Sequence, residues 1–249
     1  MILQAKDISK EFKVEKGMFK AEAERTLALD KVSFILEEFT TLGLVGESGS
    51  GKTTLAKILL GLVEQSSGEI IFNPEFIQNF RKDVQIIFQN PYNSLDPKMR
   101  IKDALYEPLV IHRMCSRASL KARAEELLKT VGLDENALER YPSQFSGGQR
   151  QRICIARSIA CEPKLLVLDE PISSLDLTIQ AKLLDLFLEL KSKFNLTYIF
   201  ISHNLGVIKY LADKVMVMRN GRVVEEASSS EIFANPRQEY TRELLQAAK

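Results

Sequence analysis

The sequence GESGSGKTT, at residues 46–54, is the feature that most limits the fold of this chain. It fits the pattern G-x-x-x-x-G-K-[ST], and it lies between the apolar run TTLGLV and the helix-like segment KTTLAKILLGLV. Glycines in such a turn let successive N–H groups point inward, and the following helix adds its positive end. Lys52 can then reach bound phosphates, and Thr53 can bind Mg²⁺. The motif predicts a phosphate-binding turn between a strand and a helix.

The rest of the chain alternates between strand and helix patterns. VQIIFQ, KLLVLD and TYIFIS are apolar strand patterns, and TIQAKLLDLFLELKSKF is a helix pattern. Such alternation predicts a mostly parallel sheet with helices on both faces. The first forty residues alternate with period 2, which predicts antiparallel strands interrupted by a charged excursion at Lys13–Arg25. Residues from Ile101 to about Thr130 form a helical region with Gly132 as its C-cap, and Asn220-Gly221 predicts a hairpin turn.

Composition excludes several classes of protein. A length of 249 residues suits one large domain or one domain with a small subdomain. The 34 basic residues balance 33 acidic ones, which argues against a dedicated nucleic-acid binder. No apolar run reaches membrane-spanning length, and the first ten residues do not resemble a signal peptide. Cys115, Cys154 and Cys161 lack metal-ligand spacing and are expected to be buried, reduced thiols.

A pair of carboxylates follows an apolar strand in LLVLDEP. Asp169, at the strand end, is expected to hold Mg²⁺, and Glu170 to accept a proton from the attacking water or to orient it. Phosphoryl transfer depends mainly on positioning and charge stabilisation, so two carboxylates with separate roles suit a phosphate-binding turn.

A second glycine-rich loop, QFSGGQRQRICIARSIA, starts at Gln144 and has no lysine. With GESGSGKTT, FSGGQ and LLVLDEP in this order, almost the whole chain resembles the ATP-binding subunits of ABC transporters, with Phe145 where the family has leucine. The resemblance implies an α/β fold: a P-loop NTPase core with a mostly parallel sheet, an N-terminal antiparallel β subdomain and an inserted α-helical subdomain. The core would comprise about residues 1–90 and 162–249 of a single domain, and the helical subdomain about 91–161.

The resemblance also assigns roles to individual residues. Phe12 would stack on adenine, Gln89 would contact Mg²⁺ and the attacking water, and His203 would contact the γ-phosphate. Lys52 and Glu170 complete the catalytic set, while Thr53, Gln89 and Asp169 are the expected Mg²⁺ ligands. The loop residues expected to hold ATP are Gly46, Glu47, Ser48, Gly49, Ser50, Gly51, Lys52, Thr53 and Thr54. Those expected to close over the nucleotide of a partner subunit are Ser146, Gly147, Gly148 and Gln149, with Asp176 of SSLD at the subunit interface.

Other segments resemble one branch of the family. QNPYNSLDPKMRIKDALYEPL and NPRQEYTRELL are similar to segments of oligopeptide, dipeptide and nickel importers, and Tyr92 would face a membrane subunit. Because the chain ends at Lys249, without the longer cysteine-containing tail of many peptide-importer subunits, a nickel or metal-chelate importer is expected, with a peptide importer as the alternative. The expected partners are two membrane permease subunits and a sister ATPase, with an external solute-binding protein acting indirectly. A heterodimer is favoured, a homodimer is possible, and the location would be the cytoplasmic membrane face.

Functions outside transport have less support from the sequence. A chromosome or repair ATPase would carry a long coiled coil between the two glycine-rich loops, and no sustained heptads occur there. Translation-type relatives usually carry two such domains. A GTPase would need an N-K-x-D motif, which is absent, and a regulator without hydrolysis would not need Glu170 and His203.

Overall fold

A computed structural model describes residues 1–14, 24–89 and 94–247, which form two compact units. The first unit comprises Met1–Phe76 and Ile199–Lys249, and the second comprises Ile77–Tyr198. Most of the charged segment that begins at Lys13, and Tyr92, lie outside the described residues. The second unit is larger than the helical subdomain expected at about 91–161, whose limits remain a prediction.

The described residues form the following elements. The strands are β1 Leu3–Val14, β2 Glu24–Leu36, β3 Thr41–Val45, β4 Ser67–Phe72, β5 Val84–Ile87, β6 Leu165–Asp169, β7 Thr197–Ile201, β8 Lys214–Arg219 and β9 Arg222–Ser228. The α-helices are α1 Lys52–Leu59, α2 Phe80–Asp83, α3 Ile101–Ile111, α4 Leu120–Thr130, α5 Gly147–Ile159, α6 Leu177–Phe194, α7 Leu205–Leu211, α8 Ser229–Ala234 and α9 Glu239–Ala247. None of the described helices is long and apolar enough to cross a bilayer.

The first unit contains the antiparallel sheet that the period-2 pattern predicts. Its strand order is β2-β1-β4, and Leu3 of β1 pairs with Leu36 of β2 on one side and Phe72 of β4 on the other. Leu3 and Ala5, two residues apart, are both buried, as expected for one face of an amphipathic strand. The sequence analysis did not predict β4, because SGEIIF has no clear alternation of apolar and polar residues.

The strand that leads into the phosphate-binding turn, β3, lies in a parallel pair. β3 is buried along its whole length and pairs in parallel with β8, while β8 and β9 form the predicted hairpin. Asn220 and Gly221 have φ of 49° and 76°, the left-handed values that a two-residue turn of this kind requires. The hairpin prediction is confirmed.

In the second unit, β5 and β6 pair in parallel, and helices lie between them in the chain. The predicted helical region from Ile101 to Thr130 contains two helices, α3 and α4, because the chain turns at Arg113, whose φ is 53°. α4 ends in the hydrogen-bond pattern of a Schellman motif. Gly132 N donates to Lys129 O at 3.0 Å and Leu133 N to Leu128 O at 2.9 Å, and Gly132 has φ of 71°.

All three cysteines are free, but they differ in burial. Burial raises the pKa of Cys154 to about 12 and that of Cys161 to about 11, so both thiols stay protonated. Cys115 is only half-buried, in contrast to the prediction, because it lies in the connection between α3 and α4.

Candidate active site

The predicted phosphate-binding turn forms between β3 and α1. The Lys52 ammonium is buried inside the turn and donates to Gly46 O and Glu47 O at 2.8 Å each and to Ser50 Oγ at 3.1 Å. Ser50 N donates to Glu47 O, which closes the turn. The cation is therefore held at the centre of the loop by the loop's own oxygen atoms.

Gly51 shows why the turn needs glycine. It precedes α1 with φ of 106°, a conformation that residues with a side chain rarely adopt. A Cβ at this position would also lie 2.7 Å from Ala28 O and from Leu29 Cδ2. The close contact with β2 therefore requires a residue without a side chain.

In the second unit, the predicted acidic pair lies at the end of β6. Asp169 is the buried last residue of the strand, and Glu170 follows it with φ of 48°. A left-handed glutamate is an uncommon conformation of the kind found at functional sites. Gln89 Nε2 donates to Glu170 Oε2 at 3.0 Å, so the structure brings together two residues separated by eighty-one positions in sequence.

His203 lies in the first unit, between the end of β7 and the start of α7. The residue before it, Ser202, donates its N–H to Leu44 O, and Leu44 belongs to the strand that enters the phosphate-binding turn. The residue after it, Asn204, caps α7 by accepting from Gly206 N and Val207 N. His203 is exposed at this turn.

The second glycine-rich loop is a helix N-terminus in the second unit. Ser146 and Gln149 form a capping box at the start of α5: Gln149 N donates to Ser146 Oγ at 3.3 Å, and Ser146 N donates to Gln149 Oε1 at 3.0 Å. Asp176 is the N-cap of α6, and its carboxylate accepts from Ile179 N at 2.9 Å. Gly148 is buried, and a Cβ there would lie 2.6 Å from Ile179 Cγ2, so this glycine also permits close packing on α6.

Phe12, the predicted adenine contact, lies in β1 opposite Thr26 and is 40% exposed. It is therefore not a core residue of the strand. Lys10 Nζ lies 5.1 Å from the centre of its ring, within the range of a cation–π contact.

Sequence analysis missed two contacts to the phosphate-binding turn in the first unit. Gly221 of the hairpin donates its N–H to Ser50 O at 3.0 Å, and the Tyr240 hydroxyl of α9 accepts from Glu47 N at 3.2 Å. Both partners lie more than 160 residues further along the chain. The hairpin was predictable, but no local pattern indicates which residues either segment would contact.

Comparison with known proteins identifies the family. A family model described as ABC transporter matches residues 29–173, which is more than half of the chain. The chain belongs to the ABC transporter family. This ABC transporter subunit binds ATP and hydrolyses it, as the phosphate-binding turn and the acidic pair predict. The expected family and fold class are confirmed.

Curated relatives of this ABC transporter subunit align along 99% of the chain. A di/tripeptide transport ATP-binding protein, DppF, of Pseudomonas aeruginosa is 44% identical, and the chain covers 78% of it. The dipeptide transport ATP-binding protein DppF of Escherichia coli is 43% identical, with 76% covered. The oligopeptide transport ATP-binding protein OppF of Lactococcus lactis is 41% identical, with 80% covered.

Solved structures of the same family share the fold. One is a dimeric, post-hydrolysis state of the ATP-binding cassette MJ0796 bound to ADP and phosphate. Its TM-score is 0.78 at 26% identity, and the match covers 92% of this chain and 99% of that one. Another is cbiO1 from Clostridium perfringens, part of the ABC transporter complex cbiONQ, with a TM-score of 0.77, 25% identity, and coverage of 94% and 91%.

Proposed function

We propose that this ABC importer ATPase powers the uptake of peptides. The relatives described above are named for di-, tri- and oligopeptide transport, and a further one, the glutathione import protein GsiA of Pectobacterium atrosepticum, is 41% identical, although the chain covers only 41% of it. None of these relatives is named for nickel, so the expected metal-chelate substrate has no support from them. Peptide import, the alternative that the sequence left open, becomes the proposal.

ATP binds with its phosphates on the turn at residues 46–54 and its adenine on Phe12. The Phe12 side chain is 40% exposed, and the Lys52 ammonium is already directed into the turn. Backbone N–H groups at the start of α1 supply further donors to the phosphates. Binding uses groups that the fold holds in position before the nucleotide arrives.

The expected Mg²⁺ ligands suit that ion by their chemistry. Thr53 offers a hydroxyl, Asp169 a carboxylate and Gln89 an amide oxygen, and Mg²⁺ prefers oxygen ligands of this kind. When bound, the ion neutralises charge that develops on the phosphate oxygens.

Glu170, Gln89 and His203 orient the attacking water and the γ-phosphate. The hydrogen bond from Gln89 to Glu170 is the observation that best supports hydrolysis, because it orients the carboxylate directly beside the Mg²⁺ ligand Asp169. Glu170 then accepts the proton of the water as it attacks. His203 donates to the γ-phosphate from the end of β7.

A partner ATPase subunit completes each site with Ser146, Gly147, Gly148 and Gln149. The loop needs no lysine because Lys52 of the subunit that holds the nucleotide already provides the cation. Asp176 lies at the interface in this arrangement, and the dimeric state of MJ0796 with ADP and phosphate is consistent with it. The pair, most simply this chain with a sister ATPase, acts on two permease subunits at the cytoplasmic membrane face, with a solute-binding protein outside.

Replacing Glu170 with glutamine tests the catalytic assignment. Loss of a general base costs about 10²–10⁴-fold in rate, so we expect Glu170→Gln to lose hydrolysis while it keeps ATP binding. Glu75→Gln is the matched control, because it removes a carboxylate from an exposed surface position. The rate of phosphate release is measured for both variants in the assembled transporter. Near-normal turnover by Glu170→Gln would refute the catalytic assignment of Glu170.

Uptake assays test the transported solute separately. A strain without this gene should lose uptake of a labelled dipeptide and keep uptake of nickel, and the gene restored in trans should recover the peptide uptake. Loss of nickel uptake with normal peptide uptake would reverse the proposal.

A further inference from the structure

The C-terminal helix α9 contacts the phosphate-binding turn through Tyr240. Tyr240 is 6% exposed, and its hydroxyl accepts a hydrogen bond from Glu47 N at 3.2 Å. Glu47 is the second residue of the turn at residues 46–54. The hydroxyl therefore satisfies a loop N–H that would otherwise need another acceptor.

The contact acts on the same peptide group that holds the loop lysine. The N–H of Glu47 and the C=O of Gly46 belong to one peptide plane, which moves as a rigid unit. The Lys52 ammonium donates to Gly46 O at 2.8 Å. This peptide plane thus lies between the Tyr240 hydroxyl and the Lys52 ammonium, and hydrogen bonds in such a chain strengthen one another.

Tyr240 is itself held firmly by the hairpin of the first unit. The Arg219 guanidinium at the end of β8 lies 4.4 Å from the centre of the tyrosine ring. In β9, the buried Glu225 carboxylate accepts from Arg237 N at 2.8 Å and Gln238 N at 3.1 Å, which fixes the chain just before α9. The Arg219 contact on the ring and the fixed chain just before α9 both limit the movement of Tyr240 away from Glu47.

We propose that Tyr240 is a positioning residue for ATP binding: its hydroxyl fixes the Gly46–Glu47 peptide and thereby keeps Lys52 directed into the turn. The inference rests on the proposed role of residues 46–54 in holding the phosphates. A loop that is ordered before the nucleotide arrives loses less entropy on binding, so the hydroxyl increases affinity without touching ATP. By linkage, bound nucleotide stabilises the docked position of α9 to the same extent.

Hydrogen exchange on the full chain without nucleotide tests the first step. Tyr240→Phe removes the hydroxyl and keeps the ring, so we expect faster exchange of the Glu47 N–H and unchanged exchange in peptides from β6. Tyr106→Phe, which removes a tyrosine hydroxyl from α3 in the second unit, is the matched control and should leave the turn unchanged. Unaltered exchange of the turn in Tyr240→Phe overturns the proposal, whatever the protein binds.

Nucleotide binding and kinetics test the consequence. Because the net contribution of one neutral hydrogen bond corresponds to about fivefold in an equilibrium constant, Tyr240→Phe should raise the Kd for ATP and ADP by about fivefold. KM for ATP should rise while kcat stays constant, a split that general destabilisation would not produce. A change below about twofold, or a fall in the urea midpoint that accounts for the loss, overturns the inference.

A reciprocal measurement separates this inference from the proposed function. ADP should slow exchange in peptides from α9 of the wild-type chain, and Tyr240→Phe should remove most of that protection. If the wild-type chain binds no ADP, the nucleotide-binding role of the turn is wrong. If it binds ADP and α9 exchanges at the same rate, the proposed function stands and the role of Tyr240 is refuted.

Discussion

Two adjacent glycines of the second loop, Gly147 and Gly148, have different surroundings. Neither has a positive φ, so a helical alanine is acceptable for the backbone at both positions. A Cβ on Gly147 would lie 3.2 Å from Leu175 Cδ2, the end of a flexible side chain. A Cβ on Gly148 would lie 2.6 Å from Ile179 Cγ2, which is attached directly to a stiff, branched β-carbon. Only the second glycine is required by packing.

The two alanine variants should therefore differ in stability. We expect Gly148→Ala to lower the free energy of unfolding by about 1–3 kcal/mol through overpacking, and Gly147→Ala to change it by less than about 1 kcal/mol. Urea denaturation of the purified chain measures both. Ile179→Ala should relieve the Gly148→Ala defect, because it removes the methyl group in conflict. Equal effects of the two variants would show that packing on α6 does not explain Gly148.

At the scale of elements, the Glu225 carboxylate holds the chain just before α9 by accepting from Arg237 N and Gln238 N. Burial alone would raise the pKa of Glu225, but hydrogen bonds to the carboxylate outweigh it and hold the pKa below that of an ordinary glutamate. The adjacent Glu226 shows the opposite direction, because burial raises its pKa. A measurement of global stability would therefore mix two opposing effects, and a local one is needed.

We predict that α9 loosens in acid. A lowered folded-state pKa stabilises the fold fully above the unfolded-state pKa, and this stabilisation is lost as the pH falls through the folded-state pKa. Exchange in peptides from α9, corrected for the intrinsic rate, should accelerate as the pH falls below about 4.5. Glu225→Gln should show loosened α9 at neutral pH and little further change in acid. If α9 in the wild type stays equally protected down to pH ~3, the carboxylate is not its attachment.

The elements that sequence analysis predicted correctly are those whose signal is local. The hairpin at Asn220-Gly221 and the turn before α1 are set by residues that tolerate positive φ, and these are visible in the sequence. The break between α3 and α4 falls at Arg113, where no glycine or proline indicates a turn. β4 and the contact from Tyr240 to Glu47 depend on partners far along the chain, and a periodic pattern contains no information about them.

At the scale of the whole molecule, the role of Ser146 decides whether the chain hydrolyses ATP alone or only together with a partner ATPase subunit. Ser146 caps α5, so its replacement by most residues would weaken the helix as well as any phosphate contact. Aspartate is as good a cap as serine, but it places a negative charge where the partner's γ-phosphate is proposed to lie. The substitution Ser146→Asp thus separates capping from phosphate contact.

We expect Ser146→Asp to keep its urea midpoint and its affinity for ATP as an isolated subunit, and to lose at least about 10²-fold in hydrolysis by the assembled pair. Ser143→Asp, an exposed charge change in the same loop region, should hydrolyse ATP normally. For the unaltered chain, the rate per subunit should rise with the concentration of the chain or of its sister ATPase. A rate independent of concentration, or full activity in Ser146→Asp, would refute the paired site.

The predicted positions of several candidate site residues agree with the structure, while their chemical roles stay predictions. Asp169, Glu170 and Lys52 belong to short motifs with a fixed chemistry, and the structure shows each at the strand end or turn where the motif requires it. Ser146 and Asp176 were assigned to a subunit interface, but their capping of α5 and α6 became clear only from hydrogen bonds in three dimensions. Each of these residues caps a helix and is also proposed to act at the subunit interface. A sequence pattern does not show which of these two roles requires the residue.

The hairpin tip at Asn220-Gly221 also affects how the protein can be engineered. Exposed hairpin tips are usually tolerant places for tags, inserted domains or new chain ends. Here Gly221 donates to Ser50 O of the phosphate-binding turn and accepts from Asp30 N of β2, so the tip joins two elements that are remote in sequence. An insertion there would disturb both the phosphate-binding turn and the antiparallel sheet. A biosensor built on this subunit should therefore carry its reporter elsewhere.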